Sequence, residues 1–507
     1  MADSLRAMDK KRRALTLSCW ALMIASPFLL LLILSLALRH SVFQSYPVWT
    51  DELDYWRSLL NWQSVGFHTG YSGLFEAIPE AGALGVHGLT PILLYGWFVK
   101  LFGLGYSTIM TCNAVWISLG ALAFCALRRP RPAVALLFSG LLLCYVPIVL
   151  YCVTSMTELF NYALLLFYLA FLLRYHEKGG AWTLLLCCLT VAFGCLYRIT
   201  YFLLFLPVVL VFSRFRPGWR MALGALAALL LSALCYLFSS RLTAPYIQGF
   251  LYHLVRAESP EAFIQMLLSH TKSNLIDYFI KPTDSPMEDA FRWLYCGVTL
   301  LCLLGSFLRV SRGENGPRLR FRFSKELFAC FVLLLTAFGV IAVLYETNDW
   351  SDFRTLSPFL WLVAGYLLAR GRLAIPVATL AASVVTLALL AALPPVGAYA
   401  DAYRFERAPY DETVAQAAAC VTYDPDATDP FDNTVRIDIP GFQIVEELAP
   451  GLGLQYGWFT TETTGKSRWI VTDHLKCVIE NYESYENLLY LPGMKVFKFS
   501  RGGGGTQ

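Results

Sequence analysis

Apolar runs about 20 residues long recur along the chain, and a run of that length crosses the hydrocarbon of a bilayer as a helix. In lipid each such segment must satisfy its own backbone polar groups, so the fold these runs permit is a bundle of membrane helices. Of the 507 residues, 57% are hydrophobic and only 15% charged, too few charges to cover a soluble surface. The first run, 15–38, follows Arg6, Lys10, Lys11, Arg12 and Arg13. Its length and the lack of a small-residue cleavage site read as a retained signal-anchor span.

Eleven spans are expected, at 15–38, 107–127, 132–152, 158–173, 181–197, 200–213, 219–239, 291–309, 326–345, 355–369 and 373–393. With a cytoplasmic N-terminus, the basic loops at 128–131, 174–178, 214–220, 309–325 and 370–372 all fall inside, which satisfies the positive-inside rule. Residues 89–104 are apolar, but counting them as a span would move 128–131 outside. Their Tyr95, Trp97 and Lys100 suit a helix lying in the outer interface. The short run at 200–213 reads as a tilted span or as one broken at Arg198.

The external segments are then 39–106, 240–290, 346–354 and the tail from Pro394. Strand-like runs at 435–439, 468–472 and 495–499, with a helix at 410–420, point to a small α+β domain of about 100 residues. The expected architecture is mainly α. Residues 1–393 form a membrane unit with external loops 39–106 and 240–290, residues 394–501 an extracytoplasmic α+β domain, and residues 502–507 a disordered tail. No internal repeat suggests the inverted halves of a transporter. Twelve of the fourteen cysteines lie in or beside apolar runs and act there as small hydrophobes. Cys420 and Cys477 fall in the tail, where an extracytoplasmic location would allow a disulfide. No Cys or His cluster has zinc spacing.

The segment just outside the first span reads Trp49-Thr50-Asp51-Glu52-Leu53-Asp54-Tyr55. Carboxylates beside a bilayer are costly to hold when partly desolvated. They open an amphipathic helix with Leu53, Trp56 and Leu60 on one face and Asp54 and Arg57 on another. One reading is helix capping by first-turn acids; the other is a general base at the membrane surface. Further polar residues stand at the external ends of spans: Glu158, Arg198 and Arg354. Glu158 could be a capping acid, and Arg354 could pair with Asp349 or Asp352 or grip a phosphate with its planar fork. His87 sits beside the interfacial helix, and His253, Lys272 and Lys281 are weaker candidates in the long loop. Tyr55, Trp56, Trp62 and Tyr71 could stack on sugar faces, shield a polyprenyl tail or anchor the chain at headgroups.

A first span, an external Asp-Glu, an aromatic-rich helix and an interfacial helix at 91–103 together resemble the GT-C superfamily of integral-membrane glycosyltransferases. The Trp49 to Tyr55 pattern resembles the Asp-Glu loop of protein O-mannosyltransferases and of the lipid A aminoarabinose transferase family. The likeness runs over most of residues 1–240 and rests on order and spacing. It implies transfer of a sugar from a polyprenyl-phosphate donor to an extracytoplasmic glycan, lipid or protein, with inversion. Asp51 would be the base, beside Glu52, and Glu158 and Arg198 would lie on the donor side; the residues' own chemistry and place add Arg354 and His87 to that side. The family often has Asp where this chain has Glu158, and commonly Lys near Arg198, so both are partial matches. No cofactor is required by the pattern; a divalent metal on Asp51, Glu52 and Glu158 is conceivable, because some relatives use one. The expected location is a bacterial cell membrane, with no nucleic-acid partner.

The rival from another class is a polytopic transporter or lipid flippase, against which the nearly uncharged span centres weigh. A non-catalytic assembly or receptor protein working through its tail is a third reading. A polymerase or ligase using diphosphate-linked oligosaccharides would place its key basic residues in a late external loop, whereas here the acidic loop comes first.

Overall fold

The computed structural model describes residues 2–66, 89–241, 254, 256–283, 286–313, 316–345, 350–391, 411–438, 442–456, 467–473, 475 and 484–499. Among the described residues, six helices are long and apolar enough to cross a membrane: Lys10–Leu38, Thr108–Arg128, Glu158–Lys178, Trp219–Ser240, Glu288–Phe307 and Lys325–Leu344. The chain is therefore a polytopic integral membrane protein. The other five expected spans are shorter apolar helices, as is the segment Ile92–Phe102 expected at the interface.

Helix α1 (Ala2–Leu38) is followed by α2 (Thr50–Val65) and, after a π-helical turn at Ile92–Gly96, by α3 (Trp97–Phe102). The exposed Trp97, Leu101 and Phe102 give α3 an apolar side suited to lipid. Next come α4 (Thr108–Arg128), α5 (Pro132–Cys144), α6 (Val146–Tyr151), α7 (Glu158–Lys178) and α8 (Ala181–Tyr197). One expectation is corrected here, because residues 132–152 are two helices. Tyr145 is extended (φ −68°, ψ 118°) just before Pro147, which has no N–H to continue a helix. The run near 200 is also broken: Arg198 ends α8, a 3-10 turn spans Ile199–Leu204, and α9 (Phe205–Phe212) follows.

The bundle continues with α10 (Trp219–Ser240), α11 (Pro260–Phe279), α12 (Pro286–Phe307), a hairpin of β1 (Leu308–Gly313) and β2 (Gly316–Phe321), α13 (Lys325–Leu344), α14 (Trp350–Ala369) and α15 (Ala374–Ala391). Helix α7 is apolar on every side and lies at the centre, as such a helix must. It packs tightly on α4 at Gly120, where an added Cβ would lie 2.9 Å from the Ala163 carbonyl oxygen and from Leu166 Cβ. Trp361 of α14 is fully buried between Phe138 and Tyr162. The loop between α10 and α12 is partly helical, which the sequence did not suggest. Its α11 packs by Asn274, whose amide caps the Ala342 and Tyr345 carbonyls at the end of α13.

The charges sort by end. Arg128 pairs with Glu177, Arg370 reaches Glu177 at 3.8 Å and Glu326 at 2.9 Å, and Arg372 reaches Glu326 at 3.5 Å. These pairs tie the C-terminal ends of α4, α7 and α14 to the start of α13. Asp51, Glu158, Arg198 and Arg354 lie at the opposite end.

The tail contains α16 (Glu412–Cys420), β3 (Thr434–Ile437), α17 (Phe442–Glu447), β4 (Gly453–Tyr456), β5 (Trp469–Thr472), β6 (Tyr485–Leu491) and β7 (Met494–Phe499). The five strands form one sheet in the order β4-β3-β5-β7-β6, with β3 parallel to β4 and β5 and the remaining pairs antiparallel. The strands expected near 435, 468 and 495 are present; β4, β6 and α17 are additions. Cys477 and residues 502–507 lie outside the described residues, and with them the expected disulfide and disordered tail.

Candidate active site

Four charged side chains from four separate segments meet at one end of the bundle. Asp51 stands in the first turn of α2, Glu158 opens α7, Arg198 follows the last residue of α8, and Arg354 lies in the second turn of α14. Arg354 Nη1 is 3.1 Å from Asp51 Oδ2 and 3.8 Å from Glu158 Oε1, and Arg198 Nη2 donates to the same Glu158 oxygen. Acids and guanidiniums therefore alternate in one chain. The sequence-level pairing of Arg354 with Asp349 or Asp352 concerns residues whose side chains are not described.

Exposure grades along this chain. Glu158 is 2% exposed, whereas the side chains of Arg198, Arg354 and Asp51 are 22%, 30% and 32% exposed. Glu158 Oε2 is buried and accepts no hydrogen bond among the described residues. A buried carboxylate oxygen without a donor is costly. Here the two guanidiniums on its other oxygen hold the charge, leaving Oε2 as an acceptor for a hydroxyl.

Glu52 has a different environment. It is fully buried. Its Oε2 accepts the Val48 and Trp49 amides at 2.9 Å, and its Oε1 accepts the Ser155 amide at 2.6 Å. A carboxylate committed to backbone amides staples the first external loop to the turn before α7, and in doing so sets where Asp51 stands. That turn is held further by Tyr197, whose hydroxyl donates to the Thr157 carbonyl at 3.0 Å, and by Asn113, whose amide donates to the Met156 carbonyl at 2.9 Å. Asn113 in turn accepts from Tyr95 of the interfacial segment at 2.8 Å. No charge pattern marks Tyr95, Asn113 or Tyr197 in the sequence.

The aromatic expectation changes. Tyr55 is buried, with its hydroxyl 3.4 Å from Thr157 Oγ1, and Trp56 is buried against the tail unit, so neither presents a free face to a sugar. Burial, and then the Asp51 and Glu158 carboxylates, push the Tyr55 phenol well above its ordinary value, so it stays protonated. Trp62 lies under Lys100, 5.4 Å from its ring centroid. Lys281 reaches Asp277 at 3.5 Å. His87, Tyr71 and His253 lie outside the described residues.

Arg57 is the residue that sequence reading misplaced. Helical spacing put it on a polar face, yet it is only 2% exposed. Its guanidinium enters the tail unit and donates to the carbonyls of Val445 (3.1 Å), in the last turn of α17, and of Leu448 (2.8 Å), Leu452 (3.3 Å) and Ala449 beyond its end. Asn61 adds two bonds, donating to the Leu452 carbonyl at 3.1 Å and accepting the Gly451 amide at 2.8 Å. Tyr106 donates to Glu446 at 2.5 Å. Helix α2 is thus held between the bundle and the tail sheet, with Tyr55 and Leu59 in one core and Leu53 and Trp56 in the other.

Among the described residues no three His, Cys, Asp or Glu side chains gather as a metal site. Glu52, one of the three oxygen donors considered, has both oxygens on backbone amides.

No family model and no curated protein matches the chain. Among solved structures, ArnT from Cupriavidus metallidurans bound to undecaprenyl phosphate aligns over 95% of this chain and 100% of its own, at 13% identity and a TM-score of 0.47. The same protein in its apo state aligns over 93% and 97%, at 13% identity and a TM-score of 0.38. ArnT is the lipid A aminoarabinose transferase, a GT-C glycosyltransferase.

Proposed function

We propose that this chain is a membrane glycosyltransferase that moves a sugar from a polyprenyl-phosphate donor to an acceptor hydroxyl or amine at the extracytoplasmic face. The observation that carries the reading is the alternating chain Asp51, Arg354, Glu158, Arg198 at one end of a membrane bundle. Two guanidiniums there suit a phosphate leaving group, and a half-exposed carboxylate beside them suits the proton that an acceptor must lose.

Asp51 and the donor phosphate compete for Arg354. A phosphate oxygen taking the guanidinium would free Asp51 Oδ2 from Arg354, so that it could face the acceptor beside the anomeric carbon. The acceptor proton then passes to Asp51 as the acceptor attacks that carbon. The bond from carbon to phosphate oxygen breaks with its electron pair going to the phosphate. Attack from the face opposite the phosphate inverts the centre. Charge grows on the phosphate only as the bond breaks, so Arg198 and Arg354 stabilise the transition state more than the bound donor. Glu158 Oε2 would accept a hydroxyl of the donor sugar, and Glu52 would position the loop without touching substrate. His87 is assigned to the donor side with the phosphate-binding group.

The test is the purified chain in nanodiscs with polyprenyl-phosphate pentose and hexose donors, reading release of free polyprenyl phosphate with and without chelator. Asp51→Asn should lower turnover about 10²–10⁴-fold while polyprenyl phosphate still binds. Full activity in Asp51→Asn, or movement of the lipid-linked sugar across the bilayer without bond cleavage, would overturn the assignment.

A further inference from the structure

At the end of the bundle away from the acids, β1 and β2 join α12 to α13 as an antiparallel hairpin. Leu308 lies opposite Phe321, Arg309 opposite Arg320, Val310 opposite Leu319 and Ser311 opposite Arg318. Side chains alternate between faces along a strand. One face therefore carries Leu308, Val310, Leu319 and Phe321, with the Arg312–Pro317 pair in the same register at the turn end, and the other carries Arg309, Arg318 and Arg320. The four apolar residues are 38%, 66%, 67% and 77% exposed, and the three arginines are exposed as well.

Such a ribbon is poorly suited to water. A lone two-stranded hairpin is marginally stable at best, and like charges directly opposite one another destabilise it. Its base is closed firmly onto the bundle: Arg322 N donates to the Phe307 carbonyl and Ser324 N to the Ser306 carbonyl, both at 2.8 Å. Phe307 stacks on Phe321 with centroids 5.9 Å apart, and meets Phe323 at 5.7 Å and Phe328 at 6.3 Å. This aromatic cluster sits where two apolar helices end, a position aromatic side chains favour at a membrane boundary. The exposed Leu300, Leu301 and Leu304 of α12 lead into it.

We infer that the hairpin lies in the membrane surface at this end as an anionic-lipid contact. Leu308, Val310, Leu319 and Phe321 enter the acyl boundary, and Arg309, Arg318 and Arg320 reach up to headgroup phosphates. The apolar face loses its water, and the phosphates relieve the opposed arginines. The inference is independent of the proposed transferase activity.

The full chain in nanodiscs tests it. Phe321→Trp should gain fluorescence that acyl-brominated lipids quench, whereas Arg320→Trp, on the other face, should gain fluorescence they do not quench. In the unsubstituted chain, amide hydrogen exchange over 308–321 should slow when phosphatidylglycerol replaces part of the phosphatidylcholine. The Arg309→Gln and Arg318→Gln changes should each lose about fivefold of that protection. Equal quenching at 320 and 321, no quenching at either, or protection indifferent to lipid charge would overturn the proposal.

Discussion

Replacing Arg57 with alanine should unfasten α2 from the tail unit while leaving the membrane bundle folded. Four carbonyls receive this guanidinium. Leu452 keeps the Asn61 amide at 3.1 Å, so Val445, Leu448 and Ala449 lose a donor. Each buried carbonyl left without one costs about 1–3 kcal/mol. Water entering the space once filled by the side chain recovers part of the total, which brings the sum to about 3–5 kcal/mol. At about 1.4 kcal/mol per factor of ten, local opening of the interface should rise about 10² to 4 × 10³-fold. Hydrogen exchange of the full chain in nanodiscs reads this directly, through faster amides in 442–456 and along α2 with unchanged amides in α4 and α7. Arg57→Lys should fall between, since one ammonium cannot reach four carbonyls at once. Exchange within about threefold of the parent in 442–456 would refute the idea that these carbonyls hold the interface together.

Three other changes follow from the same contacts. Arg354→Lys should cost about 10–100-fold in turnover, measured as polyprenyl phosphate release, because a point charge replaces a planar fork that reaches Asp51 and Glu158 together. Glu52→Gln puts an NH₂ group among three backbone N–H donors and should destabilise the external loop by about 2–4 kcal/mol, seen as a lower thermal midpoint in detergent. Gly120→Ala should lower stability by about 1–3 kcal/mol, against the helix propensity of alanine, because its Cβ would meet the α7 backbone at 2.9 Å; chemical denaturation in mixed micelles would show the sign.

Hydropathy located the membrane helices because each apolar run carries its signal locally. Arg198, Arg354 and Glu158 were legible for the same reason, as isolated charges at the ends of apolar runs. Their partners were not legible. The contact from Arg354 to Asp51 joins residues 303 apart, and local pairing with Asp349 or Asp352 was the nearer choice. Arg57 was misread because helical spacing reports which residues share a face and not what covers that face. Its carbonyl partners come almost four hundred residues later. The hairpin at 308–321 reads as a basic loop by charge, although its residues alternate apolar and basic with the period of a strand over 308–310 and 318–322.

The two halves of the chain are joined at the point where the proposed chemistry needs them joined. Of the four charges in that alternating row, Glu158 and Arg354 stand on helices of the bundle and Arg198 at the break that ends α8, so the bundle chiefly sets their positions. Asp51 stands on α2, outside the apolar runs, so its position depends on what grips α2. One grip is Glu52 on the Ser155 amide; the other is Arg57 and Asn61 in the tail unit. Loosening the second should move the base and leave the phosphate grip in place. On the proposed mechanism, Arg57→Ala should therefore lower kcat much more than it raises KM for the donor, whereas Arg198→Gln should weaken binding of polyprenyl phosphate itself. Equal loss of both parameters in Arg57→Ala would mean that the tail unit holds the whole site together and does not serve chiefly to place its base.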